Sequence, residues 1–379
     1  MAELSKVTRC YHCGVVLQTI DESKSGYINN EVIERYPEGL LLCNDCFKNE
    51  RFNTKPKEVD FDENYRKILD EIIAKKALVV YVVDIFSFEG SFITKVNESL
   101  KGIDVLAVAN KRDLLPANYE DEELLEYVKH RLRVSKLDVK DAILVSSNTS
   151  FNIINLISKI ISMSKGRDVY FVGASESGKT AIISEILKNY KNETKTMIST
   201  ITFKGTNLRG FRIPFNEKNF IFETPGTSID NSMCAKVEQS VVNCIVPSTT
   251  IKTKEFKLSK GSNLMVGGLA AFELIDGEKS NIIAYFSSKV GLETSKNEIG
   301  KNIDKIIKRK KLSPLSKQIV SFADFDAYDI QITETGERDI GILGLGWISF
   351  IGNNQTFRVY IPKGVYVYTT RSKIKHVNK

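Results

Sequence analysis

The chain has 379 residues, of which 42% are hydrophobic and 27% are charged, and its formal net charge is +7. These values are typical of a globular protein with two or three domains, and they exclude an intrinsically disordered chain. Because no run of eighteen apolar residues occurs and the first residues lack the apolar core of a signal peptide, we expect a cytoplasmic protein without a membrane partner.

The N-terminal segment, residues 1–52, contains two Cys-x-x-Cys pairs and little apolar periodicity. Four thiolates suit the tetrahedral coordination of Zn²⁺, and an intracellular location disfavours disulfides. We therefore predict that this segment is a zinc-binding module, with four unligated cysteines as the alternative. The predicted ligands are Cys10, Cys13, Cys43 and Cys46.

Apolar runs alternate with amphipathic stretches from about residue 65 onward. The amphipathic stretches predict helices over residues 65–76, 120–133, 151–163 and 181–190. The apolar runs predict buried strands that begin near residues 77, 104, 142, 167 and 219. This alternation predicts an α/β domain over residues 53–247, in which helices cover both faces of a parallel sheet.

The octet GASESGKT lies between a predicted strand and a predicted helix, and it fits the phosphate-loop pattern G-x-x-x-x-G-K-[ST]. Its two glycines permit a tight turn whose backbone N–H groups wrap phosphates. Lys179 would reach the β- and γ-phosphates, and the Thr180 hydroxyl would bind Mg²⁺. We predict that the whole loop binds a nucleotide, namely Gly173, Ala174, Ser175, Glu176, Ser177, Gly178, Lys179 and Thr180.

Two further segments are suited to binding the base of that nucleotide. The sequence NKRD, residues 110–113, ends a predicted strand, and the Asp113 carboxylate can accept two neighbouring N–H donors of guanine while repelling the acceptor of adenine. Asn110 would brace the surrounding loops, and the stem of Lys111 would lie over the base. The next predicted strand ends in a loop whose backbone would contact the guanine carbonyl oxygen, formed by Ser146, Ser147 and Asn148.

The sequence ETPG, residues 223–226, follows another predicted strand. GTPases usually carry Asp-x-x-Gly at this place, where the acid holds Mg²⁺ through water and the glycine N–H contacts the γ-phosphate. Glu223 and Gly226 take these two positions. We predict catalytic roles for both, together with Lys179 and Thr180.

The order of these segments along the chain is rotated relative to an ordinary GTPase. An ordinary GTPase has its phosphate loop first, then the switches and then the base-recognition loop. Here the base-recognition loop at residue 110 and the serine loop at residue 146 precede the phosphate loop at residue 173 and the second switch at residue 223. We therefore predict a circularly permuted P-loop GTPase domain that binds GTP or GDP with Mg²⁺.

The C-terminal third carries the positive charge. Residues 248–379 contain 21 basic and 13 acidic side chains, whereas the preceding segments are close to neutral. Short β-type runs predict a mostly β, α+β domain with one helix over residues 295–311, and a further helix over residues 229–246 would connect it to the preceding domain. This charge favours a polyanionic partner such as RNA, with a solvated lysine-rich surface as the alternative.

These motifs together resemble those of the bacterial YqeH-type circularly permuted GTPases. The resemblance covers residues 10–226 and rests on CYHC, CNDC, YVVDIFSFEGSF, NKRDLLP, SSN, GASESGKT and ETPG. The basic C-terminal segment, with GLGWISF, resembles that family's RNA-binding-like domain more loosely. The resemblance implies a GTPase that acts in assembly of the small ribosomal subunit and contacts ribosomal RNA.

Four places in the chain depart from the usual pattern of that family. Glu176 replaces an Asn that in related GTPases helps to hold a catalytic potassium ion. Residues 204–207 read KGTN in place of PGTT, so that an Asn stands at the usual Mg²⁺-binding threonine unless Thr206 substitutes. Glu223 replaces Asp, and Thr227 stands where the family usually has an apolar residue. Because three of the altered positions contact metal or γ-phosphate whereas the base-recognition motif is intact, we expect GTP binding with slow hydrolysis.

The leading hypothesis is a slow GTPase switch that acts on a ribosomal particle. One alternative is a nucleotide-bound, RNA-binding scaffold with little or no hydrolysis. Another is a zinc-containing DNA-binding regulator, which is less favoured because the central domain is suited to a nucleotide. Neither the oligomeric state nor the activating partner follows from the sequence.

Overall fold

The computed structural model describes residues 10, 17–35, 41, 43–44, 63–91, 94–117, 119–189, 199–206, 208–215 and 219–374. These residues divide into two compact units. The first unit contains those within Met1–Val83, Ile93–Val108 and Leu132–Ser228, and the second contains those within Asp84–Phe92, Ala109–Arg131 and Ile229–Lys379. Among the described helices, none has both the length and the apolar character that crossing a membrane requires.

Seven strands form one sheet in the order β3-β2-β1-β4-β7-β6-β5. The strands are β1 (Leu78–Asp84), β2 (Val105–Asn110), β3 (Asp141–Leu144), β4 (Val169–Val172), β5 (Ser199–Thr202), β6 (Arg209–Pro214) and β7 (Phe220–Glu223). β4 pairs in parallel with β1 and with β7, which confirms the predicted parallel sheet. β6 pairs antiparallel with both β5 and β7, so the sheet ends in a hairpin that the sequence analysis did not predict.

Helices alternate with these strands along the chain. They are α1 (Asn30–Arg35), α2 (Glu63–Ala74), α3 (Thr94–Ser99), α4 (Asp121–Val134), α5 (Ile153–Ser164) and α6 (Lys179–Asn189). Four of them, α2 and α4–α6, agree with the predicted helices to within a few residues. β1 and β2 are buried along their whole length, which explains why they appear in the sequence as continuous apolar runs.

The C-terminal residues form two five-stranded sheets, with the orders β12-β9-β10-β16-β13 and β17-β14-β15-β11-β8. Their strands are β8 (Lys254–Leu258), β9 (Asn263–Val266), β10 (Ala270–Asp276), β11 (Ser280–Phe286), β12 (Leu292–Ser295), β13 (Phe325–Ile332), β14 (Gly336–Ile342), β15 (Gly346–Gly352), β16 (Gln355–Pro362) and β17 (Val367–Arg371). Apolar side chains of both sheets share one core, which is joined by the helix Ile299–Arg309 through Ile299, Ile303 and Ile306.

The predicted single helix over residues 229–246 is wrong. The structure has two short helices instead, α7 (Met233–Lys236) and α8 (Gln239–Ile245), and the helix Ile299–Arg309 is therefore α9. Between α7 and α8, Val237 and Glu238 have extended backbone conformations. The Glu238 carboxylate accepts hydrogen bonds from the Ser316 hydroxyl at 2.6 Å and from the Lys317 backbone N–H at 3.0 Å. These partners lie far along the chain, so helical periodicity alone could not reveal the break.

Candidate nucleotide-binding site

The phosphate loop joins β4 to α6 in the first unit. It needs glycine at its start, because a Cβ on Gly173 would lie 2.3 Å from the Val82 carbonyl oxygen, and because φ at this residue is +155°. Gly178, with φ +94°, makes the second turn, immediately before α6 begins at Lys179. Glu176 has a left-handed conformation, with φ +61°, at the position that departs from the family pattern.

Lys179 is buried inside this loop, where its side-chain nitrogen donates to the carbonyl oxygens of Gly173 and Ala174, at 2.9 Å each. Burial lowers the pKa of Lys179 to about 8, and the nearby Glu223 carboxylate opposes this shift. A cation in such a low-dielectric place interacts strongly with an anion that enters the loop. The arrangement is therefore suited to binding phosphate groups.

The end of β7 brings Glu223 to the start of α6. The Thr180 hydroxyl donates a hydrogen bond to Glu223 Oε1. Burial raises the pKa of Glu223, although the hydrogen bond from Thr180 and the charge of Lys179 both oppose this. A hydroxyl and a carboxylate oxygen are ligands that Mg²⁺ prefers, so the two residues fit the predicted Mg²⁺ site.

The chain after Glu223 runs along the phosphate loop. The Ser175 N–H donates to the Thr227 carbonyl oxygen at 2.9 Å, and Thr227 forms a parallel bridge with Ala174. Gly226 lies so close that a Cβ there would be 2.7 Å from Ser175 Cα and 3.2 Å from Lys179 Nζ. This contact places the predicted γ-phosphate sensor against the phosphate loop.

Thr227 and Thr206, which both lie in the predicted switches, differ in the burial of their hydroxyls. Thr227 is buried, and its hydroxyl has no hydrogen-bond partner among the described residues. Thr206 lies in the turn between β5 and β6, where its hydroxyl donates to the Phe203 carbonyl and accepts from the Leu208 N–H. Asn207 lies outside the described residues, so the Mg²⁺ role considered for this segment stays a prediction.

The serine loop, residues 146–148, also belongs to the first unit. Ser146 is buried, and its hydroxyl accepts from the Thr149 N–H at 3.1 Å. The Ser150 hydroxyl donates to Glu185 on α6 at 2.6 Å. This bond connects the residues that directly follow the serine loop to the helix that begins with Lys179.

The base-recognition loop is part of the second unit. Asn110 is completely buried, and Lys111 has a left-handed backbone with φ +69°. The Lys111 side chain forms an ion pair with Asp84 Oδ2 at 2.7 Å. Asp113 lies in the short 3₁₀ helix Arg112–Leu114. The ion pair that Asp84 makes with Lys111 was not predicted, although an acidic residue at the end of the apolar run LVVYVVD could have indicated it.

The cysteine pairs are described only in part. Cys10 and Cys43 are buried side by side, and the Cys43 N–H donates to Cys10 Sγ at 3.3 Å. Both belong to a small apolar cluster with Leu17, Ile28 and Leu41. Cys13 and Cys46 lie outside the described residues, and the residues that are described contain no cluster of three or more His, Cys, Asp or Glu that could hold a metal. The zinc site therefore stays a prediction.

Comparison with known proteins gives a family model and relatives from bacteria and plants. The model described as YqeH-like, C-terminal, matches residues 279–373. The chain is 30% identical over 369 residues to the uncharacterized protein YqeH of Bacillus subtilis, covering 96% of this chain and 99% of that protein. It is 24% identical over 392 residues to NO-associated protein 1, chloroplastic/mitochondrial, of Arabidopsis thaliana, covering 91% of this chain and 70% of that protein.

Among solved structures, translation elongation factor SelB of Methanococcus maripaludis in its apo form aligns with 83% of this chain and 63% of its own. The sequence identity is 11% and the TM-score is 0.21, which is too low to indicate a shared fold.

The buried charge of Lys179 leads to a prediction about stability. At pH 7 the folded state holds a proton on Lys179 that burial disfavours, whereas the unfolded state holds it at no such cost. Lys179→Met should therefore leave the nucleotide-free protein at least as resistant to urea as the wild type, while abolishing the rise in Tm on adding GDP. Lys188→Met, which removes an exposed lysine from the same helix, is the control and should keep the response to GDP. A Lys179→Met protein that still responds to GDP would contradict the phosphate-binding role.

Proposed function

The chain belongs to the YqeH family, and on that basis we propose that it is a guanine-nucleotide-binding protein with a circularly permuted GTPase domain over residues 53–247. The observation that carries the proposal is the geometry of the phosphate loop between β4 and α6, in which the buried Lys179, the first residue of α6, donates to two carbonyls of the loop. The proposed flanking parts are a zinc module over residues 1–52 and a basic RNA-binding domain over residues 248–379.

The phosphate loop would bind the nucleotide through its backbone N–H groups and through the Lys179 ammonium. Mg²⁺, when bound, would offset the charge of the phosphate oxygens. Thr180 and Glu223 are the residues that would hold it, since their oxygens already meet in this structure. Gly226, which lies close to Ser175 of the phosphate loop, would report on the γ-phosphate through its N–H.

We propose that hydrolysis of GTP is slow. Fast hydrolysis needs a side chain that orients the attacking water, as a glutamine does in Ras-like GTPases. Thr227 is short, and its hydroxyl is buried. The alternative is a protein that binds nucleotide and RNA with almost no turnover.

The proposed partner is ribosomal RNA or the small ribosomal subunit. The basic excess of residues 248–379 supports a polyanion. On α9, Lys305 and Lys308 are exposed on the side opposite to the buried Ile303 and Ile306. Such a row of cations on a packed helix can contact successive phosphates without disturbing the core.

A change at Asp113 tests the choice of base. Asp113→Asn should weaken GDP binding by about 2–4 kcal/mol, because a charge-assisted pair with the two guanine N–H donors is lost. The same variant should bind xanthosine diphosphate better than the wild type does, because an amide can donate to the extra carbonyl. Isothermal titration with both nucleotides measures this, and an unchanged affinity for GDP would exclude Asp113 as the base reader.

Metal analysis tests the zinc module. Protein purified without added zinc should contain one Zn²⁺ per chain, and Cys13→Ser together with Cys46→Ser should reduce this content to near zero. Cys244→Ser is the matched control, because this cysteine is remote in sequence from both pairs. A wild-type protein that is folded and free of metal would rule out the module.

The ribosomal role is tested with purified small subunits. The protein should co-sediment with them more strongly in the presence of a non-hydrolysable GTP analogue than with GDP, and the subunits should accelerate single-turnover hydrolysis. Binding that ignores the nucleotide, with hydrolysis unchanged by subunits, would favour the scaffold alternative. Preference for duplex DNA over subunits would favour the DNA-binding regulator.

A further inference from the structure

We infer that two residues of the C-terminal region, Thr250 and Lys373, are positioning residues for guanine recognition. Thr250 contacts the base-recognition loop, residues 110–114, directly, whereas Lys373 contacts the loop after β1, which is hydrogen-bonded to it. The inference rests on the proposed function, because it assumes that this loop contacts the base. It adds that the affinity for guanine depends on the state of a region that lies outside the predicted GTPase domain.

The first brace comes from the segment that enters β8. The Thr250 hydroxyl donates to the carbonyl oxygen of Asp113 at 2.8 Å. The next residue, Ile251, donates its backbone N–H to the Leu114 carbonyl oxygen, also at 2.8 Å, and its side chain is buried. Two consecutive residues thus bind two consecutive carbonyls, which fixes the backbone from which the Asp113 carboxylate projects.

The second brace acts through the loop that follows β1. The buried Lys373 ammonium donates to the carbonyl oxygens of Ile85 at 3.0 Å and Phe86 at 3.2 Å. The Ile85 N–H in turn donates to the Asn110 carbonyl oxygen at 3.0 Å. The carbonyl of Ile85 is therefore bound to Lys373, and the N–H of the same residue is bound to the base-recognition loop.

The same loop also holds the side chain of Lys111. Asp84 accepts hydrogen bonds from the Phe86 N–H at 2.9 Å through Oδ1, and it pairs with Lys111 at 2.7 Å through Oδ2. A shift of Phe86 would therefore move the carboxylate that orients Lys111. Lys373, by holding the Phe86 carbonyl, limits that shift.

Further contacts hold Lys373 in place. Its ammonium lies 4.0 Å from the centre of the Trp347 ring, and its backbone N–H donates to Asp339 Oδ2 at 2.8 Å. The buried Asp339 also accepts from the hydroxyls of Ser349 and Ser372. Burying a lysine costs free energy unless its donors are satisfied, so its use on two loop carbonyls indicates that the position of the loop matters to the protein.

The test compares GDP with inosine diphosphate, which lacks the exocyclic amino group that Asp113 would read. The dissociation constant of inosine diphosphate divided by that of GDP measures the Asp113 contact. A loss of folded protein would not change this ratio. Thr250→Val, which removes one exposed hydroxyl, should lower this ratio about threefold. Lys373→Met, which releases two carbonyls, should lower it about tenfold.

Two matched variants serve as controls, because they remove a hydroxyl and an ammonium from exposed positions nearby. These are Thr249→Val and Lys363→Met, and both should keep the wild-type ratio. Far-ultraviolet circular dichroism verifies that each variant is folded, because the Lys373 ammonium lies over Trp347 and its removal would change the fluorescence of this tryptophan even in a folded protein. If Lys373→Met does not fold, Thr250→Val alone decides the outcome.

The two hypotheses fail in different ways. A wild-type protein that binds ADP as tightly as GDP would refute the proposed function, and the inference with it. A wild-type protein that prefers GDP over both ADP and inosine diphosphate, with Thr250→Val showing the same ratio, would keep the proposed function and overturn the inference. A lower ratio in Thr250→Val with unchanged controls would support the positioning role.

Discussion

The burial of one ammonium group, that of Lys179, is the constraint around which the phosphate loop of the first unit is arranged. A cation removed from water needs acceptors, and here two carbonyls of its own loop supply them. The loop can turn its carbonyls inward only because Gly173 passes beneath Val82 without a side chain. The end of β7 then brings the Glu223 carboxylate close enough to oppose part of the cost of burial. The position of β7 in the sheet, the glycine at residue 173 and the charge of Glu223 thus all help to accommodate the Lys179 ammonium.

The parts of the fold that depend on local pattern were predictable from the sequence. β1 and β2 are buried on both faces, so they appear as uninterrupted apolar runs, and the phosphate loop is defined by eight consecutive residues. β6 was not predictable, because buried and exposed residues do not alternate regularly along this strand. It also belongs, with β5, to a hairpin at the edge of the sheet. The break at Glu238 was hidden for another reason, since it is made by Ser316 and Lys317.

The candidate site shows the same division between local and long-range information. Asn110, Lys111 and Asp113 belong to the recognisable tetrapeptide NKRD, and their chemistry could be derived from the sequence alone. Two of the residues that hold this motif, Thr250 and Lys373, are separated from it by more than a hundred positions, and nothing in their residue type marks such a role. Nothing in the composition around Thr250 distinguishes it from Thr249. Side chains that act on the ligand leave a sequence signature, whereas side chains that position them are found only through contacts.

The contact between Lys373 and Ile85 also has a consequence for biosynthesis. The two residues are separated by 288 positions in the chain. At about 5–20 residues per second, a ribosome needs about 15–60 s to translate that interval. Once residue 114 has been translated, the nascent chain contains the whole of residues 84–114 but still lacks Lys373. The hydrogen bonds to the Ile85 and Phe86 carbonyls therefore form only after Lys373 has been translated.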